Sequence, residues 1–373
     1  VKMGEIEHEL SPKGGNGLFY TTLEKQVLSQ SYQVQKDGGP WHPDPYHIPF
    51  FFTSEDEDLF AKGEHTYLHR VMGTHLRVFN NCPGVLFTLW APGAKQVHVI
   101  GEFNRWCDRS HPLRKVRNSS VWELFIPFLK EGQKYQFCIE NHKGEKFIKA
   151  DPFARATEKR PGRASVIAEA DLDMWHDDAW IKQRQRQTAI DQPIHIYEVH
   201  LGSWQVSQDE FMNYREIAPK LSSHCKAIGC NYVELLPVMG HPLDESWGYQ
   251  VTGFFAVTPR YGSLRDFQYL IDHLHQEGIG VILDWVPGHF PKDEHGLISF
   301  DGTPLFEDNH PLRGVHPEWS TAVFDYSKPE VRNFLISSAL LFFDKFHLDG
   351  LRVDAVSSIL YLDFCKEPHE WEP

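Results

Sequence analysis

The sequence lacks several features that would place it in large classes of protein. It has no apolar run approaching the ~18 residues that a membrane-spanning helix needs, and it has no long run of lysine or arginine. Its 51 acidic residues outnumber its 37 basic ones, for a formal net charge of -14. Such a surface repels nucleic acid and anionic membranes, which favours a neutral or cationic partner. No basic start followed by an apolar stretch indicates a secretion signal, so we expect a cytoplasmic protein.

Cysteine and histidine are present but are not grouped in metal-binding patterns. The six cysteines are scattered without a CxxC pair, and the 22 histidines show no spacing typical of zinc ligands. Buried free thiols in a reducing compartment are the simpler interpretation. No clustered Asp/Asn motif indicates a calcium loop. We therefore expect no metal ion. We also expect no other cofactor and a monomer, on grounds other than these patterns.

Three regions of the chain differ in their residue pattern. Residues 1–64 are rich in turns and show no periodicity, so we expect an N-terminal segment that is irregular or partly ordered. Over 65–180, short alternating apolar runs separated by turns predict an antiparallel β-sandwich of immunoglobulin-like type. Over 181–373, a polar connector is followed by apolar strands that alternate with helices, which predicts βα units and a mostly parallel sheet.

The βα region contains four candidate strands, at 194–199, 231–236, 279–284 and 350–354. Ser263 with Asp266, and Ser327 with Glu330, form capping-box patterns that predict the starts of two intervening helices. Four strands fit either half of a (β/α)8 barrel or an open doubly wound sheet. No glycine-rich phosphate loop follows the first strand, which disfavours the nucleotide-binding sheet. A full barrel needs ~250 residues, which is more than this region contains. We therefore expect the region to hold the first four β/α units of a truncated TIM barrel.

Charged residues lie at the ends of the last two strands. Asp284 ends the third strand, and Asp354 ends the fourth, with Arg352 two residues before it. Side chains two apart on a strand share a face, so Arg352 would keep Asp354 ionised, as a carboxylate nucleophile requires. An Arg–Asp pair that braces the barrel interior explains the same spacing. The spacing alone leaves both interpretations open.

The loops after these strands favour a sugar site. Trp247, Tyr249 and Gln250 follow the second strand, and His289 follows the third. Flat aromatic faces suit pyranose rings, and polar side chains hold hydroxyl groups. In barrels of this kind the site lies at the C-terminal ends of the strands. We therefore expect these loops to converge on one substrate-binding face.

Several of these motifs resemble a known family. The stretches 284-DWVPGH-289 and 350-GLRVDAV-356 resemble the first and second signature regions of the α-amylase superfamily, glycoside hydrolase family 13. The longer segments look specifically like those of the 1,4-α-glucan (glycogen) branching enzymes, at 197–204, 233–262 and 352–363. The upstream segments 88–106 and 150–154 resemble the glycogen-binding β-sandwich module of those enzymes. The chain resembles their N-terminal half only.

The resemblance implies a substrate, α-1,4-glucan or glycogen, and a role for each candidate residue. Asp354 would attack the anomeric carbon and hold a glucan chain covalently, and a 6-hydroxyl would then accept that chain to form an α-1,6 branch. Arg352 would keep Asp354 charged and oriented. Tyr249 would stack on the sugar at the cleaved bond, and His289 would hydrogen-bond its hydroxyls. Asp284 would support the site structurally.

The sequence departs from the family pattern in three respects. Gly240 stands where an acidic residue is common. Gly288 stands where the superfamily has Asn, although branching enzymes usually have a small residue there. The general acid Glu and a later His-Asp motif have no counterpart. Retaining cleavage needs two carboxyl groups ~5–5.5 Å apart, and Glu367, Glu370 and Glu372 are poor candidates for the second. We therefore expect this chain alone to be inactive.

Two alternative functions remain open at the level of sequence. One is an amylase-like or debranching hydrolase, in which water replaces the acceptor hydroxyl. The other is a non-catalytic glucan-binding protein, which would be favoured if the chain ends naturally at Pro373. In the sandwich, Trp90 and Trp122 lie in alternating strands, so we expect them in the core. Trp106 follows a loop and fits core packing or glucan stacking equally well.

Overall fold

The N-terminal region contains short strand pairs and one helix. The computed structural model describes residues 1–3, 6–13, 19–22, 32–168, 172, 174–186, 192–207 and 210–371. The first strands are β1 (Lys2–Met3), β2 (Ile6–Glu7), β3 (Ser11–Pro12), β4 (Phe19–Tyr20), β5 (Gln33–Val34) and β6 (His42–Pro43). Helix α1 (Ser54–Lys62) begins at a capping box in which Thr53 and Asp56 each bond the backbone amide of the other. Gly63 ends the helix in the left-handed conformation, at φ 78°, which glycine adopts without strain.

The next strands form two antiparallel sheets, as the alternating pattern predicts. They are β7 (Gly73–Phe79), β8 (Cys82–Trp90), β9 (Ala94–Gly101), β10 (Arg114–Lys115), β11 (Val121–Pro127), β12 (Lys134–Asn141), β13 (Lys146–Lys149), β14 (Ala156–Thr157) and β15 (Ser165–Val166), and helix α2 (Asp178–Arg186) follows. One sheet has the order β10-β11-β8-β7. The other has the order β13-β12-β15-β14, and β9 also pairs with β12.

The core of the sandwich is aromatic. The ring of Phe87 lies 5.2 Å from that of Tyr135 and 6.5 Å from that of Phe137, measured between centroids. Trp90 and Trp122 are buried, which confirms their predicted place in the core. Trp106 is 40% exposed, so it lies on the surface of the module.

The last region builds a four-stranded parallel sheet. Its elements are β16 (Ile196–Val199), α3 (Leu201–Trp204), β17 (Val206–Ser207), β18 (Glu210–Phe211), α4 (Tyr214–Ile228), β19 (Tyr232–Leu235), β20 (Met239–Gly240), β21 (Gly253–Val257), α5 (Leu264–Gln276), β22 (Gly280–Trp285), β23 (His289–Phe290), β24 (Val315–His316), β25 (Thr321–Val323), α6 (Pro329–Phe346), β26 (Gly350–Val353) and α7 (Val356–Leu360). The strand order β16-β19-β22-β26 follows the chain. A doubly wound sheet reverses its order at a switch point, so the observed order matches the first four strands of a (β/α)8 barrel.

The helix starts show one correct prediction and one wrong one. Ser263 and Asp266 form the predicted capping box at the start of α5. The box predicted for Ser327 and Glu330 does not form, because Lys328 and not Ser327 is the N-cap residue, and the Ser327 hydroxyl donates to Asp325 at 2.5 Å. Helix α6 begins at Pro329 without a side-chain cap. Proline suits that first position because its fixed φ is helical and its missing N–H would have no helical partner.

A buried charge network joins the connector helix α2 to the parallel sheet. The two ring nitrogens of His275 lie 2.9 Å from Asp177 Oδ2 and 3.0 Å from Asp349 Oδ2. Trp180 of α2 donates to Asp349 Oδ1 at 2.8 Å. Although burial opposes the charge, the hydrogen bonds to both carboxylates raise the pKa of His275. The imidazole therefore holds the segment before α2 to the start of β26.

The sandwich packs directly against the loops of the parallel sheet. Lys149 Nζ donates to the carbonyls of Glu294 and Ile298 at 2.6 and 2.7 Å. Gly93 N donates to Asp301 Oδ2 at 2.6 Å. Because these bonds join backbone and buried side chains of both regions, the module has a defined position beside the sheet. None of the helices in the described residues is long and apolar enough to cross a membrane.

Candidate active site

The site is organised around the adjacent ends of β22 and β26. Asp284 and Arg352 are register partners on these two parallel strands. Arg352 Nη1 donates to both carboxylate oxygens of Asp284 at 2.9 Å. The Asp284 side chain is 1% exposed, and its burial raises its pKa although the bonds from Tyr249 and Arg352 oppose that rise. Arg352 therefore joins β26 to Asp284 on β22, a contact that neither interpretation of the Arg352–Asp354 spacing included.

Asp354 is held by the same guanidinium. Arg352 Nη1 donates to Asp354 Oδ1 at 2.6 Å, and Asp354 N donates to the carbonyl of Trp285 at 2.9 Å. Burial opposes the charge of Arg352, but its bonds to Asp284 and Asp354 raise its pKa. Ala355 then turns the chain in the left-handed conformation, at φ 51°. The carboxylate thus lies just beyond the strand end, beside a permanent positive charge.

Tyr249 completes the floor of the site. Its hydroxyl donates to Asp284 Oδ2 at 2.7 Å. Burial and the neighbouring Asp284 both raise the pKa of Tyr249, so the hydroxyl keeps its proton and acts as the donor. Asp284 therefore accepts bonds from two neighbours, Tyr249 and Arg352, and fixes the position of each.

His289 lies on β23, just beyond the end of β22. It is 5% exposed, and burial lowers its pKa to about 4. The imidazole is consequently neutral at physiological pH. Its Nδ1 atom is buried and has no hydrogen-bond partner among the residues that the structure describes. A neutral imidazole of this kind can both donate to and accept from a hydroxyl group.

An open cavity of about 790 Å³ collects these side chains. Five of the seven residues predicted from sequence line it, namely Tyr249, Gln250, His289, Arg352 and Asp354. Asp284 lies beneath them as their shared hydrogen-bond acceptor. The cavity is large enough for a small-molecule ligand.

Trp247 is not among the residues that line this cavity. Its backbone is left-handed, at φ 53°, and its ring stacks on His200 at 5.4 Å between centroids. The side chain is also 53% exposed. Its neighbour Gln250 lines the cavity and also borders a second one, of about 700 Å³, between the sandwich and the parallel sheet.

Sequence reasoning missed the residues that the segment between β22 and α6 contributes to the cavity. Glu318, Trp319 and Thr321 line it together with Phe364 from the segment after α7. The stretch 316-HPEWST-321 carried a signal, since it places an aromatic ring and a carboxylate side by side. Its position could not be read because no strand had been predicted there.

Glu367 and Glu370, the described acidic residues considered after the fourth strand, do not line the cavity. Glu367 and Glu370 bond each other, with Glu367 N donating to Glu370 Oε2 at 3.0 Å, and neither is a lining residue. Glu372 lies outside the described residues. Among the lining residues, Glu318 is the acid that accompanies Asp354.

The sandwich region and the βα region each match a known protein family. Residues 71–154 match "Carbohydrate-binding module 48 (Isoamylase N-terminal domain)", and residues 209–299 match "Alpha amylase, catalytic domain". Curated relatives match the whole chain. A 1,4-alpha-glucan branching enzyme GlgB of Protochlamydia amoebophila is 46% identical over 359 residues, which are 96% of this chain and 49% of that protein. The chain thus resembles the 1,4-alpha-glucan branching enzymes.

Other branching enzymes agree in identity and in extent. The enzyme of Chlamydia pneumoniae is 44% identical over 100% of this chain and 51% of its own length. That of Nitrosococcus oceani is 48% identical over 99% of this chain and 50% of its own length. The chain therefore spans about half the length of the curated relatives it matches, as a carbohydrate-binding module 48 followed by part of an alpha-amylase catalytic domain.

A solved structure supports the fold. It is the crystal structure of a protein assigned as an alpha amylase from Salmonella typhimurium, with a TM-score of 0.62 and 24% sequence identity. The match covers 77% of this chain and 44% of that one. At this identity the likeness concerns the fold alone, and it agrees with a sandwich that precedes a βα region.

Proposed function

We propose that this chain provides the module and the nucleophile-bearing half of the catalytic barrel of a 1,4-α-glucan branching enzyme. In this proposal the whole protein cleaves an α-1,4 bond and transfers the released chain to a 6-hydroxyl of glycogen. The observation that carries the proposal is the position of Asp354, which Arg352 holds at 2.6 Å beside the cavity shared with Tyr249 and His289. The resemblance to branching enzymes over the whole chain supports the choice of substrate.

The chemistry assigned to Asp354 is nucleophilic attack. One carboxylate oxygen forms a bond to the anomeric carbon of the glucan, and the bond from that carbon to the leaving oxygen breaks with its electron pair. Arg352 orients the carboxylate and stabilises its negative charge before the attack. Tyr249, fixed by Asp284, supplies a flat face for the sugar, and neutral His289 supplies hydrogen bonds to hydroxyls.

The proposal assigns the proton transfer to a residue outside this chain. A general acid needs an environment that keeps it protonated, usually burial in an apolar pocket. Glu318, the other acid that lines the cavity, is exposed on a turn and not buried in an apolar pocket. We therefore propose that the remaining half of a (β/α)8 barrel supplies the acid and that this chain alone does not turn over glucan. A cytoplasmic monomer that uses no cofactor and binds neither nucleic acid nor membrane completes the proposal.

An activated substrate tests the role of Asp354 without the missing acid. An α-maltosyl fluoride needs no proton donor, because fluoride leaves as an anion when the ester bond to Asp354 forms. The acid also serves as the base that hydrolyses the intermediate, so the glycosyl-enzyme should accumulate. We expect intact-mass and peptide analysis to find one maltosyl group on the peptide that contains Asp354.

Two variants make this labelling experiment specific. Asp354→Asn should abolish the label, whereas Asp363→Asn, which removes an exposed carboxylate that does not line the cavity, should leave it unchanged. Absence of label from the unaltered chain, or a label that survives Asp354→Asn, would contradict the assigned role. In a protein of the length of its relatives, branched product without new reducing ends would distinguish transfer from hydrolysis.

A further inference from the structure

A β-hairpin lies over the candidate active site. Strands β24 and β25 pair antiparallel, with His316 opposite Thr321, so that residues 317–320 form the connecting turn. Strand β25 also pairs with β23, with Val323 opposite His289. The three-stranded sheet thus links the turn directly to a residue of the site, so the turn is held in a defined place beside the cavity.

The turn presents an aromatic ring and a carboxylate to that cavity. Glu318 and Trp319 both line it, together with Thr321 at the start of β25. Thr321 is 1% exposed, and its Oγ1 atom has no hydrogen-bond partner in the part of the chain that the structure describes. An indole face beside hydroxyl and carboxylate groups is the combination that pyranose rings require, because their C–H faces are apolar and their edges are polar.

The Trp319 ring packs among other aromatic rings. Its centroid lies 4.9 Å from that of His289, 4.7 Å from that of His316 and 6.0 Å from that of Phe364. Burial lowers the pKa of His289 and that of His316 to about 4, so both imidazoles are uncharged at neutral pH. The indole therefore packs on neutral rings that restrict its rotation, and a fixed ring loses little entropy on binding.

We propose that the Glu318–Trp319 turn is a glucan-binding wall of the active site. Trp319 stacks on one glucose ring of the bound α-1,4-glucan, and Glu318 accepts hydrogen bonds from that ring's hydroxyls. The turn and Asp354 line one cavity. The contact with Trp319 therefore determines which glucose unit of the glucan lies at Asp354. The inference takes its ligand class, an α-1,4-glucan, from the proposed function.

Calorimetric titration of the chain with maltoheptaose tests the wall. Trp319→Ala should weaken binding by roughly fivefold, the size expected for the loss of one aromatic contact. Trp319→Phe should stay within about twofold of the unaltered chain, since it keeps a stacking face. Glu318→Gln should weaken binding by a smaller factor. Tyr269→Ala removes an exposed aromatic side chain on the outer helix α5 and should have no effect.

A competition experiment confines the measurement to the active site. Maltoheptaose should protect Asp354 from labelling by α-maltosyl fluoride, and Trp319→Ala should raise the protecting concentration by the same factor. If Trp319→Ala and the unaltered chain bind maltoheptaose with equal affinity, the proposed role of the turn is wrong. The same holds if the unaltered chain does not bind maltoheptaose. A different outcome would overturn the proposed function instead. In that outcome Trp319→Ala binds maltoheptaose more weakly, but α-maltosyl fluoride does not label Asp354 in the unaltered chain. Thermal unfolding of each variant confirms that it is folded.

Discussion

The hydrogen bond between Tyr249 and Asp284 should contribute measurably to stability. Asp284 is 1% exposed and accepts a 2.7 Å bond from the Tyr249 hydroxyl and two 2.9 Å contacts from Arg352. A hydrogen bond to a buried charged group is worth about 1.5–3 kcal/mol. The Arg352 side chain is 43% exposed, so water screens its interaction and its share is under about 1 kcal/mol. Replacement of Asp284 by Ala should therefore lower the free energy of unfolding by about 2–4 kcal/mol.

A double-mutant cycle isolates the Tyr249 component. Tyr249→Phe removes the donor and leaves the ring, whereas Asp284→Asn keeps the volume and one acceptor oxygen but removes the charge. Each single change should cost about 1–2 kcal/mol. Because the two side chains act through one bond, the double variant that combines Tyr249→Phe with Asp284→Asn should lose less than the sum of the two single losses by about 1 kcal/mol.

Urea unfolding followed by tryptophan fluorescence provides the measurement. A coupling below about 0.5 kcal/mol, the range found for independent sites, would refute the view that Asp284 fixes Tyr249. The labelling experiment gives a second readout, because Asp284→Ala removes one of the two carboxylates to which Arg352 donates hydrogen bonds. A misplaced reacting group can cost one or two orders of magnitude in rate, so we expect labelling of Asp354 to slow by about tenfold. Unchanged labelling would show that Asp354 is positioned without this network.

Three further predictions concern the rest of the chain. Both carboxylate partners raise the pKa of His275 above its ordinary 6.5. The charge-dependent part of the stability that His275→Asn removes should therefore be full below pH 6.5 and be lost as the pH rises through the raised value, which leaves only the loss of packing. Urea unfolding from about pH 5 to 9 measures this dependence. Gly248 has φ +94° and no room for a Cβ, so Gly248→Ala should lower the free energy of unfolding by about 2 kcal/mol or more. In Gly288→Ala the Cβ would lie 3.4 Å from its nearest neighbour, so the loss should be under about 0.5 kcal/mol. Trp90→Ala should lower the free energy of unfolding by about 3–5 kcal/mol and Trp106→Ala by under about 1 kcal/mol, because only Trp90 is buried. Thermal or urea unfolding measures both, and similar losses for the two variants would contradict the packing.

The regular parts of the fold were accessible from sequence because each rests on a strong local pattern. The four parallel strands lie within one or two residues of the predicted ones, since continuous apolar runs bounded by turns indicate buried strands. The capping box of Ser263 was read correctly, but that of Ser327 was not. The same pattern of residue types occurs at both places, but at the second Pro329 takes the first helical position and Lys328 is the N-cap residue. The pattern of a serine and an acidic residue leaves out this proline, which favours the first helical position.

The candidate site was predictable to the extent that strand ends determine it. Asp284, Arg352 and Asp354 lie at the ends of regular strands, so their proximity follows from a parallel sheet alone. Their pairing does not follow, because the alternatives of nucleophile and brace treated Arg352 as having one acidic partner. In the structure one guanidinium nitrogen serves both carboxylates. Both interpretations concerned the contact with Asp354, and neither included the contact with Asp284.

Loop residues were harder to predict because backbone conformation decides where each side chain points. Trp247 and Tyr249 are two apart in one loop, yet the left-handed backbone at 247 and 248 sends the first ring to His200 and the second to Asp284. Trp319, which had no predicted role, reaches the cavity because a hairpin pairs with β23. Proximity to a signature motif in the sequence therefore does not determine which aromatic side chain lines the cavity. By this argument, mutagenesis of the aromatic residues around the cavity should begin with Trp319.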